Sequence, residues 1–352
     1  MTISPLARQP EVIIGVDAHK HTHHAVILTS TGRRIADQEF PATTRGYADL
    51  LSWAHAHGNI QVCGVESTGS YAAGLARFLI DHRIEVREVN TPHAYTKARV
   101  GKDDVIDAEA AARKVIAGVA SAMPKRTDSV IESIRFLALA RDSAVKARTA
   151  AILQLQDMLV TAPARVRENA PAGGLAAARH CQKFRVDHAR LNDPEQAVKL
   201  ALRTLAARVG NLDEEIKGVE RSLTVLVHET APTLLSRVGI GAIHAAQLLV
   251  TAGENVERLH TEAAFARLCG VAPVPVSSGK SHRMRLHRGG DRKANRALHM
   301  IAVVRLRYDA RTIDYMQRRL AEGLSKKDVL RCLKRFIARE VFNDLRNDLK
   351  SV

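Results

Sequence analysis

Val198, Leu202, Leu205, Val209, Leu212, Ile216, Val219, Leu223 and Leu226 follow one another at alternating intervals of four and three. That spacing is a coiled-coil seam. It commits this part of the chain to a long helix that must find a helical partner. The stretch 128–160, free of Gly and Pro, offers one. Its seam is poorer: Ile131, Ile134, Ala138, Arg141, Val145, Arg148, Ile152, Leu155 and Leu159. The two helices can pair within the chain or between chains. Arg141 and Arg148 stand where apolar residues belong, and burying them without partners costs several kcal/mol. Either acids of a facing helix pair them or they face a phosphate backbone. The net charge of +16, from 53 Lys+Arg against 37 Asp+Glu, favours nucleic acid, and RNA in particular. Between the helices, 161–195 hold Pro163, Pro171, Gly173, Gly174 and Pro194 and read as an irregular excursion.

The segment before the seams alternates strands and helices. Residues 11–17 and 23–29 are rich in β-branched residues and predict strands; a short strand follows at 35–40. A helix fits 44–57, a strand 60–66, a helix 71–82 and a strand 84–89. Residues 103–120 are Ala-rich and helical, closed by Met123-Pro124. Three strands, then helix, strand, helix, strand, helix is the element order of the ribonuclease H-like fold. The chain therefore divides into an α/β part at 1–125, paired helices at 126–230 and a mostly helical part at 231–352.

Hydrophobic residues make up 46% of the chain, which excludes wholesale disorder. No apolar run reaches the roughly 18 residues of a membrane span, and the first residues lack the hydrophobic core of a signal peptide. Cys63, Cys181, Cys269 and Cys332 are scattered singly, so neither a zinc knuckle nor a disulfide framework is expected, and a reducing interior fits. A pI near 10.1 favours a polyanionic partner. The basic residues concentrate between Lys280 and Arg311, with Lys280, Arg283, Arg285, Arg288, Arg292, Lys293 and Arg296 at the front of the run. Upstream, Gly239 and Gly241 separate two short helices in a pattern like a helix-hairpin-helix, whose glycines let backbone N–H groups approach a phosphate. A plain helical turn reads the same way.

Two sets of residues carry candidate chemistry. Asp17 closes the first strand and Glu66 the fourth, and the assumed fold brings those ends side by side. Asp104 and Asp107, three apart, share one face of the following helix. Each alone reads as a turn, cap or surface residue. Together they would repel unless cations neutralise them, which points to Mg2+ or Mn2+ and to phosphoryl transfer. Asp103 and Glu109 compete for the last two places. The second set lies in VSSGKSHRMRLHR, where Ser278 precedes Gly279 and Arg283, Arg285 and Arg288 follow. A serine hydroxyl needs a base, a metal or a positive field to act as a nucleophile. A flexible loop touching a DNA backbone is the alternative. His282 as a base would lie far off if the loop is extended.

With GVDAHK, VESTGSY, KDDVIDA, VGIGAIHAAQLL, CGVAP leading to SSG, and RGG before NRAL in this order, the chain resembles the bridge-RNA-guided DEDD transposases of bacterial insertion sequences, relatives of Piv-type DNA invertases. The resemblance implies a RuvC-like N-terminal domain, a coiled-coil middle and a C-terminal transposase domain. It places the acidic tetrad on Asp17, Glu66, Asp104 and Asp107 and the nucleophile, which forms a transient phosphoserine link to DNA, on Ser278. It implies donor and target DNA and a noncoding guide RNA as partners. It also implies a homo-oligomer, dimer or tetramer, in which one protomer's serine completes another's acidic site, working in the bacterial cytoplasm at the nucleoid. The chain departs from the pattern in its second serine, Ser277, and in Val238 where the family often has proline. A water-using RuvC-like junction nuclease needs the tetrad and not Ser278; a non-catalytic DNA-binding protein needs neither.

Overall fold

β-Branched runs form the first three strands where the pattern places them: β1 Glu11–Ala18, β2 Thr22–Thr29 and β3 Arg34–Pro41. Helix α1, Thr44–His57, starts at Thr43, whose hydroxyl accepts from Gly46 N at 3.1 Å. Strand β4, Asn59–Glu66, helix α2, Ala73–Asp81, strand β5, Val86–Val89, and helix α3, Asp104–Ile116, complete the series. The expected order is observed, with α2, β5 and α3 shorter than predicted. This computed structural model describes residues 9–89, 103–278, 281–287 and 289–350.

The sheet runs β3-β2-β1-β4-β5; its first three strands are antiparallel, and β4 and β5 lie parallel to β1. Alternate residues of β1 feed opposite faces. Val12, Ile14 and Val16 pack with Leu50, Leu51, Leu75 and Leu79 of α1 and α2. Ile13 packs with Ala108 and Ala112 of α3. The result is a mixed α/β layer, helix–sheet–helix, with Ile13, Val26 and Leu28 of the sheet meeting the alanines of α3.

The two seams form helices α4, Val130–Thr161, and α7, Pro194–Thr230, which pair within the chain. Of the predicted α7 seam, Leu202, Val209, Ile216 and Leu223, one every seven residues, are buried, while Leu205, Leu212 and Val219 are half-buried. The segment between them is not irregular. It folds into α5, Ala164–Arg167, and α6, Gly174–Cys181, whose Val166, Ala177, Ala178 and Cys181 pack with Leu155, Leu159, Leu202 and Ala206 of the long pair. Gly174 permits the approach, since a Cβ there would lie 2.2 Å from Ile152 Cγ2. The prolines and glycines that suggested an irregular excursion mark the turns of a cap.

Beyond α7 come α8, Pro232–Leu235, α9, Ala242–Ala252, α10, Glu262–Leu268, a β6–β7 hairpin, Pro273–Ser278 with Ser281–Leu286, then α11, Arg292–Tyr308, α12, Ala310–Ala321, and α13, Lys326–Asp348. Helix α13 organises this part. Its Asp348 accepts from Thr233 N and Leu234 N at 3.1 and 3.0 Å, and its Asp344 holds Arg237 through two hydrogen bonds of 2.8 and 2.7 Å. Three parts were expected, but the chain clusters into two compact units: Met1–Ser129 with Gly253–Arg258, and Val130–Ala252 with Leu259–Val352. The paired helices join the C-terminal part because α9 packs on both of them. Among the described residues, no helix is long and apolar enough to cross a membrane.

Candidate functional site

Val16 of β1 pairs with Val65 of parallel β4, so the next residues, Asp17, the last but one of β1, and Glu66, the last of β4, lie on adjacent strands in register. Both belong to the alternation set that faces α3, two residues beyond Gly15 and Gly64. Those glycines set the geometry. A Cβ on Gly15 would lie 2.0 Å from Ala108 O, and one on Gly64 would lie 2.9 Å from Ala111 O. Backbone therefore meets backbone, and α3 sits down on the sheet with its first turn over the strand ends. Asp103 caps that turn, accepting from Val105 N at 3.0 Å, and Asp104 and Asp107 follow on the helix. Asp17, Glu66 and Asp107 are 8%, 4% and 8% exposed, so three carboxylates are buried on one face of one unit.

The competitors have other work. Asp103 is exposed and is the α3 cap; Glu109 pairs with Arg113 at 2.6 Å and with Arg34 at 3.7 Å. Two residues that sequence reasoning passed over join the site. His19, in the tight turn after β1, puts Nε2 3.9 Å from Asp17 Oδ2 and Nδ1 3.8 Å from Asp104 Oδ2. Lys114 Nζ lies 3.9 Å from Glu66 Oε1. The GVDAHK motif contained His19; Lys114 had no signal, since it reaches Glu66 only once α3 has docked. Asp17, His19 and Asp104 each place one ligand atom within 4.8 Å of the others. Buried carboxylates are costly without a cation, and this oxygen-rich set fits a hard divalent ion. The chain leaves the site sharply: Ser67, at φ 58°, is in the left-handed region and turns the backbone immediately after Glu66.

Ser278 lies in the other unit. The segment expected as an extended loop is a two-stranded antiparallel hairpin, and Ser278 is the last residue of β6, paired with Ser281. Ladder pairs run Val276 with Arg283 and Val274 with Arg285, which puts Ser278, Arg283 and Arg285 on one face. Ser277 falls on the opposite face, paired with His282. The fold-back thus brings His282 much nearer the serines than an extended loop would, and opposite Ser277. Gly279, Lys280 and Arg288 lie outside the described residues. The hairpin root is clamped. Asn295 Nδ2 donates to Gly270 O at 2.8 Å and Cys269 O at 3.2 Å, and Lys334 Nζ donates to Asn295 Oδ1 at 2.9 Å. Gly290 packs so closely that a Cβ would lie 2.2 Å from Gly270 N.

The predicted nucleic-acid contacts separate into two groups. Arg141 Nε donates to Glu220 at 2.7 Å and Arg148 Nη1 to Asp213 at 2.6 Å, both on α7. The seam arginines therefore take protein partners, the first of their two alternatives. Gly239, at φ 81°, faces inward; a Cβ there would meet Ile301 O at 3.2 Å, so its conformation serves packing. Gly241 faces open space. Lys293 Nζ donates to Asp142 at 2.6 Å. Arg285, Arg292 and Arg296 are exposed and have no acidic partner among the described residues.

Two family models match the chain: a DEDD transposase model of the IS110 type over residues 14–162, and "Transposase IS116/IS110/IS902 family" over 231–317. An uncharacterized 43.6 kDa protein of insertion element IS110 from Streptomyces coelicolor is 32% identical over 130 residues, 36% of this chain and 32% of its own length. An uncharacterized 42 kDa protein of insertion element IS900 from Mycobacterium paratuberculosis is 30% identical over 132 residues, 37% of this chain and 33% of its own. The matched stretch spans about a third of each relative.

Proposed function

We propose, from two transposase models of the IS110 type that match the chain in order over residues 14–162 and 231–317, that it is a transposase of the IS116/IS110/IS902 family and cuts and rejoins DNA through a transient phosphoserine at Ser278. Asp17, Glu66, Asp104 and Asp107 would hold the metal in a RuvC-like site, with His19 beside Asp17 and Asp104. A divalent ion bound there supplies charge neutralisation at the phosphate under attack. The Ser278 hydroxyl bonds to phosphorus as the bond from phosphorus to one deoxyribose oxygen breaks. The serine loses its proton and the released sugar hydroxyl gains one. Rejoining reverses this, with a sugar hydroxyl attacking and the serine oxygen leaving. Arg283 and Arg285 share the serine's face of the hairpin and screen the phosphate charge. Ser277, on the other face, is not the nucleophile.

The burial of Asp17 and Glu66 on the sheet face that α3 covers, together with the burial of Asp107 on α3, supports this reading. The reading extends to DNA as donor and target, to a noncoding guide RNA that brings base-pairing specificity, and to a homo-oligomer with composite sites. The exposed Arg285, Arg292 and Arg296 and the net charge of +16 support a polyanionic partner.

The test uses the full chain with labelled element-end DNA, the element's RNA and Mg2+. A covalent protein–DNA adduct is expected, and fragmentation should place it on Ser278. Ser278→Ala should bind nucleic acid and form no adduct. Asp17→Asn should keep its circular dichroism and RNA affinity while strand cleavage is lost. An adduct on Ser277, or recombination surviving Ser278→Ala, overturns the nucleophile. Cleavage without any adduct moves the protein to the water-using nucleases.

A further inference from the structure

Helices α4, α7, α9 and α11 enclose a pocket of about 330 Å3 to which neither Asp17, Glu66, Asp104 and Asp107 nor the hairpin contributes. One wall is apolar: Leu223, fully buried, with Val145, Ile243 and Met300. The rest is polar and mostly basic, formed by Arg141, Asp142, His244, Gln247, Lys293 and Arg296. The acid does not balance the bases. Asp142 is shared, lying 3.6 Å from Arg141 Nη1 and 2.6 Å from Lys293 Nζ. Arg141 also reaches Glu220 at 2.7 Å. Arg296 is left with no acidic partner among the described residues, at the exposed edge of the pocket. The half-buried His244 ring registers the surplus. Burial, and then the positive fields of Arg141 and Arg296, hold its pKa below the ordinary histidine value.

We propose that this pocket binds one nucleotide unit, with the phosphate at Arg296 and Lys293 beside His244 and the nucleoside against Leu223, Ile243 and Met300. An unbalanced guanidinium beside an apolar wall suits a ligand that is anionic at one end and flat and apolar at the other. The volume lies at the lower end of small-ligand pockets, about 300–1,000 Å3, which fits one nucleotide and not a duplex. The unit comes either from a polynucleotide chain, turned out of its stack, or from a free nucleotide. An arriving phosphate cancels the field of Arg141 and Arg296 at His244 and favours its protonation. Of the charged groups around the ring, Arg141 and Asp142 come from α4, and Lys293 and Arg296 from α11. Binding is therefore coupled to proton uptake and tightens as pH falls toward the lowered value that the free ring holds. The inference stands apart from the catalytic reading, and its test needs no divalent ion.

Titration calorimetry of the full chain, with nucleoside monophosphates, inorganic phosphate and a single-stranded oligonucleotide, decides the matter. A nucleotide should bind saturably and about tenfold tighter than inorganic phosphate, and Arg296→Ala should weaken it about tenfold. Ala138→Phe fills the pocket without changing charge and should abolish the binding. Proton uptake, read from buffers of different ionisation enthalpy, should vanish in His244→Gln. If free monophosphates do not bind and the oligonucleotide alone loses affinity in Ala138→Phe, the unit is held within a chain, and the proposal stands. A folded Ala138→Phe that binds both ligands as the natural chain does overturns it, as does inorganic phosphate binding equal to that of nucleotides. Should Ala138→Phe fail to fold, unchanged nucleotide affinity in Arg296→Ala, an exposed position, overturns it instead.

Discussion

Gly15 carries more of the acidic site than its lack of a side chain suggests, because a Cβ there would collide with the Ala108 carbonyl 2.0 Å away. Gly15→Ala is expected to cost about 3 kcal/mol in urea unfolding, at the upper end of overpacking changes. It should also lose Mg2+-dependent stabilisation, since α3 must lift and take Asp104 and Asp107 with it. Asp17 and Glu66 were legible because strand-forming runs end on them. The glycines were not, since their role depends on a sheet-to-helix distance that no local pattern encodes. His23 sets a second expectation. It is fully buried in β2, stacked on Tyr47 at 5.6 Å, and burial pushes its pKa down. The folded chain keeps His23 neutral while the unfolded chain protonates it near 6.5. Stability is therefore full above that value and falls as pH drops from about 6.5 toward the lowered folded value. His23→Phe should flatten the fall in urea midpoint between pH 7 and 5. An unchanged slope would assign it elsewhere.

At the scale of elements, ion pairs tie α4 to α7 where a coiled coil would use apolar contact. Arg148 and Asp213 are each 29% exposed, so their coupling is expected at about 0.5–1 kcal/mol in a double-mutant cycle, near the value for surface pairs. The pairing also means that Arg148→Ala should leave RNA affinity and its salt dependence unchanged. A loss of about one unit in the salt slope would return Arg148 to the nucleic-acid surface. Both heptad runs were legible as helices. Their partner was not, because Asp213 and Glu220 look like solvated positions until α4 lies against α7. The β6–β7 hairpin was hidden for another reason. Pro273 and Pro275 argue against a strand, yet a two-stranded ladder has only edge strands, where a missing N–H is tolerated.

The whole molecule has two units with separate cores, and the acidic site belongs to the first. Calorimetry should resolve two transitions, and added Mg2+ should raise only one, since a ligand stabilises the body that binds it. A single transition, or an equal rise in both, would contradict this division of the site. The first unit also claims Gly253–Arg258, a segment that follows α4, α7 and α9 in sequence. Asn255 secures it, with Nδ2 donating to Pro124 O at 3.0 Å and Oδ1 accepting from Arg126 N at 3.3 Å. On the ribosome, where N-terminal parts ordinarily finish first, this unit must wait. Its last piece emerges only after α4, α7 and α9 have all been synthesised, so the contacts of Asn255 with Pro124 and Arg126 are the last of this unit to be made.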